Sequence, residues 1–69
     1  MIDSKEIGRR LKESRLKLGL SQSELAEKLD ISPSTIAMYE IGERIPRDET
    51  KLRLAKIFQE SVQSIFFEM

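Results

Sequence analysis

The sequence predicts an all-α fold of five helices, and three observations predict it. Apolar residues recur at intervals of three and four instead of two. No window alternates cleanly enough to read as a strand. The periodic segments are punctuated by residues that start or stop helices: Gly19, Ser21, Ser32-Pro33, Gly42, Asp48 and Ser61.

The first helix is expected from about Ser4 to Leu18, with Ile7, Leu11 and Leu18 on one stripe that Ser14 and Arg15 complete. Gly19 stands where a left-handed residue ends a helix. Ser21-Gln22-Ser23-Glu24 then has the form of a capping box, in which the Ser21 hydroxyl accepts from the Glu24 amide and the Glu24 carboxylate returns to the Ser21 amide. Leu20 and Leu25 fall at the two positions of a hydrophobic staple. The second helix is expected from Gln22 to about Leu29, burying Leu25, Ala26 and Leu29, and Asp30 tolerates the left-handed conformation of a tight turn. Ile31 plugs that turn. Ser32 and Pro33 supply a second cap and a first-turn proline for a third helix reaching about Ile41, stopped by Gly42. With Ile36 pointing inward, Ser34, Thr35, Ala37 and Met38 face outward, and Tyr39 and Glu40 lie further round. Asp48 is the expected cap of a fourth helix ending near Gln59, with Leu52, Ala55 and Phe58 inward and Leu54 and Ile57 flanking. A short fifth helix opens at Ser61 and buries Val62, Ile65 and Phe66.

At 69 residues the chain, 1–69, is expected to form one domain, and a domain of that size buries roughly 60% of its unfolded surface. The absence of cysteine and histidine removes disulfides, thiolate metal sites and imidazole catalysis. The remaining carboxylates fall in caps and on exposed faces, without a nucleophile or a phosphate-cradling glycine loop, so no enzyme, cofactor, metal or small-molecule ligand is expected. No apolar run reaches the roughly 18 residues of a membrane span, and MIDSKEIGRR lacks the apolar middle of a secretion signal, so a cytoplasmic chain without a membrane partner is expected.

Twelve basic and twelve acidic residues cancel, which by itself argues against a strongly basic nucleic-acid binder. Their distribution is uneven. Residues 1–20 carry six basic against three acidic residues, and 21–43 carry Lys28 alone against five acidic ones. A positive surface would have to be assembled from the end of the first helix and the loop holding Arg44 and Arg47.

The second and third helices, about residues 21–41, outline a helix-turn-helix, a unit whose second helix fits the major groove of DNA. The third helix offers small or slender side chains there. Ser34 and Thr35 can hydrogen-bond base edges, while Ala37 and Met38 can touch thymine methyls. It carries no arginine, asparagine or glutamine for a bidentate base contact worth about 1–3 kcal/mol, so shape readout is expected to add specificity. Ser21, Gln22 and Ser23 surround the amino end of the second helix, where free amides suit a phosphate. Capping is the main role expected of Ser21, and phosphate binding that of Gln22. Ser32 joins the phosphate-side set at the next cap. Arg44 and Arg47 are placed to grip phosphates or enter a narrow minor groove.

Taken together, RLKLGLS, SQSELAEKLDIS, STIAMYE and the GERIP loop resemble the lambda-repressor-like, Cro and Xre type of bacterial and phage regulator, over about Ile7 to Phe66. The resemblance implies a compact five-helix domain that binds double-stranded DNA as a homodimer. Half-site contacts would fall at Gln22, Pro33, Ser34 and Met38, with Arg47 beyond them. It also implies an ion pair of Arg15 with Glu40, and the inward position of Arg15 predicts that the pair is largely buried. Departures from the pattern are Asp30 in place of a usual glycine, Pro33 and Met38 in place of polar readers, and Lys51 in place of an apolar residue. The lysine implies either a shifted start of the fourth helix or a stem lying along the surface. Glu40 and Glu43 add negative charge near the DNA side, which implies weak non-specific binding.

The expected function is therefore that of a small transcriptional regulator, a repressor acting as a homodimer on a pseudo-palindrome. The C-terminal SVQSIFFEM, with Phe67 unable to share the inward direction of Phe66, is the expected self-association surface. The competing reading, kept open by the neutral charge, is a protein-binding module such as an antitoxin or regulatory partner.

Overall fold

The computed structural model describes residues 3–68. Five helices follow in order: α1 (Ser4–Lys17), α2 (Gln22–Leu29), α3 (Pro33–Glu40), α4 (Asp48–Phe58) and α5 (Val62–Phe66), with no strand among the described residues. The Asp3 carboxylate caps α1 by accepting from the Glu6 amide at 2.8 Å. The capping box at Ser21 forms in both directions, at 3.0 and 2.8 Å, and Ser32 and Ser61 cap α3 and α5. Asp30 ends α2 in the left-handed region at φ 58°. At Gly19, φ is 70°, as a chain leaving a helix through a left-handed residue requires.

α3 lies at the centre, packed against α1 on one side and α2 on the other, while α4 and α5 close the bundle against α2 and α1. The core comprises Ile7, Leu11, Leu25, Ala26, Leu29, Ile36, Tyr39, Leu54, Ala55, Phe58, Ile65 and Phe66. Gly8 makes the α1–α3 contact possible: a Cβ there would lie 2.5 Å from the carbonyl oxygens of both Tyr39 and Glu40. Two polar links tie the far end of the bundle to α1. Arg10 donates to the Ser64 carbonyl at 2.8 Å, and the Ser14 hydroxyl donates to the Glu60 carboxylate at 2.8 Å.

Four expectations need correction. Leu18 does not join the α1 stripe; it is 46% exposed, because α1 stops at Lys17 and Leu18 is the cap from which Gly19 turns the chain away. Tyr39, expected round the side of α3, is buried, since α1 and α2 flank this short helix from two directions. Asp48 is the first residue of α4 and not its cap; Arg47 holds the cap position without a side-chain hydrogen bond. The inward stripe of α4 is displaced as well. Leu52 is 62% exposed, whereas Leu54 is fully buried with Ala55 and Phe58. Counting back by three and four from those residues reaches Lys51, whose charge disguised the stripe. α4 does begin at Asp48, and the Lys51 side chain is 14% exposed; its ammonium group lies 3.7 Å from the Asp48 carboxylate and 5.7 and 5.2 Å from the Phe66 and Phe67 ring centroids.

Candidate nucleic-acid interface

The Asp30–Ser32 turn sets α3 across the end of α2 and leaves the outer side of α3 uncovered. Ser32, Pro33, Ser34 and Met38 are exposed there, and Thr35 and Ala37 are half-buried at its edges. The chain direction follows from the two caps and from Ile36, whose burial turns the opposite side outward.

The hydroxyl groups on this face are not independent. Ser32 Oγ accepts from the Thr35 amide at 3.3 Å and lies 3.0 Å from Ser34 Oγ and 2.9 Å from Thr35 Oγ1. A serine hydroxyl has one proton and two lone pairs. With one lone pair taken by the amide, Ser32 donates to one neighbouring hydroxyl and accepts from the other. Whichever way the three rotors settle, Ser34 and Thr35 together present one free O–H and three lone pairs outward. Such a face complements an edge offering one acceptor and one donor, such as adenine N7 and N6, better than the two acceptors of guanine. Ala37 and Met38 add apolar surface of the kind that meets a thymine methyl.

At the amino end of α2, the capping box satisfies the Ser21 and Glu24 amides, two of the four left free by a helix start. The amides of Gln22 and Ser23 remain. Two hydrogen bonds from Ser21, the backbone one first, hold the Glu24 carboxyl below the ordinary carboxylate range. Gln22 is half-buried, and its side-chain nitrogen donates to Glu40 Oε1 at 3.0 Å. That carboxylate is also gripped by Arg15, through Nε to Oε2 at 2.6 Å and Nη2 to Oε1 at 3.1 Å, and Arg15 donates to the Leu20 carbonyl at 2.8 Å. The Arg15 and Glu40 side chains are 8% and 4% exposed, so the pair is buried. The hydrogen bond with Glu40 raises the Arg15 pKa above its usual value against the opposing cost of burial.

Beyond α3, the Arg44 and Arg47 side chains are exposed and border a concavity of about 330 Å³ between the α2–α3 turn and the start of α4. Thr35, Tyr39, Thr50 and Arg53 line it too. Arg53, Thr50 and the Tyr39 hydroxyl are polar groups that motif reading overlooked. Arg47 at the cap of α4 and Thr50 and Arg53 within it follow one another at intervals of three, a spacing visible in the chain. The end of α1 contributes less positive charge than expected. Arg9 and Arg10 pair with Glu6, Arg9 also pairs with Glu13, and Arg15 is inside, whereas Arg44 and Arg47 form no ion pair among the described residues.

Two short helices joined by a tight turn, with a third beneath them and an uncovered second helix, define a helix-turn-helix domain. Comparison with known proteins agrees: the helix-turn-helix family profile matches residues 11–65. The chain is 42% identical over 55 residues to the HTH-type transcriptional regulator ImmR of Bacillus subtilis, covering 80% of this chain and 43% of that protein. An uncharacterized HTH-type transcriptional regulator of Archaeoglobus fulgidus is 32% identical over 57 residues, 83% of this chain and 81% of the other. Among solved structures, the restriction-modification controller protein C.AhdI from Aeromonas hydrophila superposes with a TM-score of 0.84 at 31% identity, covering 93% of each chain. The chain belongs to the helix-turn-helix family, in its lambda-repressor-like, Xre branch. It spans under half the length of the Bacillus relative.

Proposed function

We propose that this chain is a transcriptional regulator that binds double-stranded DNA with α3 in the major groove, acting as a homodimeric repressor on a pseudo-palindromic operator. The observation that carries the reading is the uncovered face of α3, built from side chains slender enough to bring the helix backbone close to base edges. Pro33, Ser34, Thr35, Ala37 and Met38 are the proposed base-facing residues. The amides of Gln22 and Ser23, with Ser21 and Ser32 at the caps, face one run of phosphates, and Arg44 and Arg47 another.

The homodimer rests on size and on one apolar face. The molecule measures 29 × 24 × 21 Å, so a single copy does not reach two half-sites about 34 Å apart, whereas two copies lie side by side on one face of the duplex. Leu52 and Phe67, 62% and 58% exposed, rim an apolar groove of about 180 Å³ with Val62 and Lys51 between α4 and α5. A second copy is the proposed occupant. Met69, at the end of the expected self-association segment, lies outside the described residues.

Selection of bound duplexes from a random library tests the reading. An enriched palindrome, together with a log-log salt slope of about −5 for six phosphate contacts, is expected. A library that emerges without enrichment, and a duplex that the protein fails to retard at low salt, would shift the function to protein capture.

A further inference from the structure

We propose that Glu40 is a positioning residue for DNA binding, holding the Gln22 amide from inside the fold so that one of its N–H groups faces a backbone phosphate. This rests on the DNA reading above and adds to it a link between the buried ion pair and the DNA surface.

An ionised carboxylate accepts hydrogen bonds and donates none, and Arg15 donates to both oxygens of Glu40. Glu40 Oε1 therefore receives the nitrogen of the Gln22 amide, at 3.0 Å, and not its oxygen. An unconstrained glutamine presents either end of its amide; this one has a fixed end. One proton of the nitrogen is directed to Glu40, and the second has no acceptor among the described residues. Gln22 is the first residue of α2, so that second proton stands beside the unpartnered amides of Gln22 and Ser23. Three donors thus gather at one helix start. Because Arg15 balances Glu40 inside the protein, the carboxylate orients the glutamine without presenting a bare negative charge to the phosphate. Arg15 reaches from α1, Glu40 from α3 and Gln22 from α2, so the arrangement exists only in the folded bundle.

A double-mutant cycle on a mixed-sequence duplex tests the link, since phosphate contacts do not depend on sequence. Gln22→Ala is expected to weaken binding about three- to tenfold and to leave the log-log salt slope unchanged, because a neutral amide releases no counterion from the phosphate. Glu40→Gln, corrected for its folded fraction by circular dichroism, is expected to do the same and to cost nothing further in the Gln22→Ala background. Independent, multiplying losses, or an unchanged affinity in Glu40→Gln, would overturn the proposal. Gln22→Glu reads the contact without DNA and keeps both Arg15 and Glu40 in the chain. The new carboxyl would face Glu40 from α3 and Arg15 from α1, and two carboxylates at this distance favour a shared proton. Its pKa is thereby raised, so its stability relative to the unmutated chain is expected to be greater at pH 5 than at pH 8. An identical profile for the two chains would show that Gln22 does not engage Glu40, and would also overturn the proposal. Failure of the unmutated protein to bind any duplex would instead reject the DNA reading, and Glu40's role in it, even with the Gln22→Glu profile as expected.

Discussion

At the scale of single residues, the proposed reading face is governed by the serine that caps its helix. Ser32 sets how many protons Ser34 and Thr35 can offer, because its one proton and its remaining lone pair must be divided between them. Glycine is nearly as good a cap as serine, costing only a few tenths of a kcal/mol, so Ser32→Gly frees both protons with little loss of fold. Library selection with that variant is expected to admit guanine under α3 about fivefold more often, while Ser32→Thr keeps the original preference. Identical base preferences in all three proteins would refute the proton count. A second residue-scale expectation concerns acid. Ser21 lowers the Glu24 pKa, so the capping box stabilises the fold above the ordinary carboxylate value of 4.5 and loses that contribution as pH falls through the depressed one. Glu6, lowered to about 2 chiefly by its hydrogen bond with Arg9, acts in the same sense between pH 4.5 and about 2. Denaturant titrations at pH 7 and pH 3 are expected to show a smaller acid loss for Glu24→Gln, which caps without titrating, than for the unmutated chain.

Helix register and helix contact belong to the next scale. α4 turns on which leucine is inside: Leu54→Ala is expected to cost about 2–5 kcal/mol, whereas Leu52→Ser changes thermal stability little, and thermal melts distinguish the two. Equal losses would mean that the register is wrong. α1 and α3 approach so closely at Gly8 that a methyl group meets two backbone carbonyls. Backbone cannot swing aside as a side chain does, so Gly8→Ala is expected to destabilise by about 1–3 kcal/mol or more. Across the same pair of helices, Arg15 and Glu40 form a buried unit that is costly to break from one side. Arg15→Met or Glu40→Gln is expected to lose about 3–5 kcal/mol, although the intact pair need not outperform an apolar replacement. Melting temperatures unchanged in both variants would contradict the burial.

For the molecule as a whole, the roles proposed for the groove between α4 and α5 and for the face of α3 are separable. Leu52 and Phe67 support no part of the core, so replacing both with polar residues is expected to leave the monomer folded while weakening operator binding and abolishing its cooperativity. Sedimentation at tens of micromolar and titration of a palindromic duplex measure the two effects. Persistence of a dimer in the double variant would place the interface elsewhere. With twelve residues of each sign and three arginines of α1 paired internally, the proposed grip on phosphate would fall mainly to the α3–α4 loop and the start of α4.

Local chemistry was enough to read most of the architecture. Ser21 with Glu24, Asp30, Ser32 with Pro33, and Gly19 each act within a few residues of themselves, so their roles survive being read as a string, and with them the helix-turn-helix and the outward face of α3. The inward position of Arg15 likewise told of a buried partner before any contact was seen. What escaped such reading depends on groups distant in the chain. The stripe of α4 was obscured by Lys51, whose ammonium group lies over the rings of Phe66 and Phe67, residues far along the chain. Tyr39 is inside only because α1 and α2 converge on α3, and the approach at Gly8 is invisible without the carbonyls it meets. Gln22 read alone is a polar side chain at a helix start; its attachment to Glu40, eighteen residues away, exists once three helices bring a carboxylate and an arginine beneath it. Caps and turns are short-range, and so follow from neighbours in sequence, while burial, charge pairing and the orientation of an amide are fixed by neighbours in space.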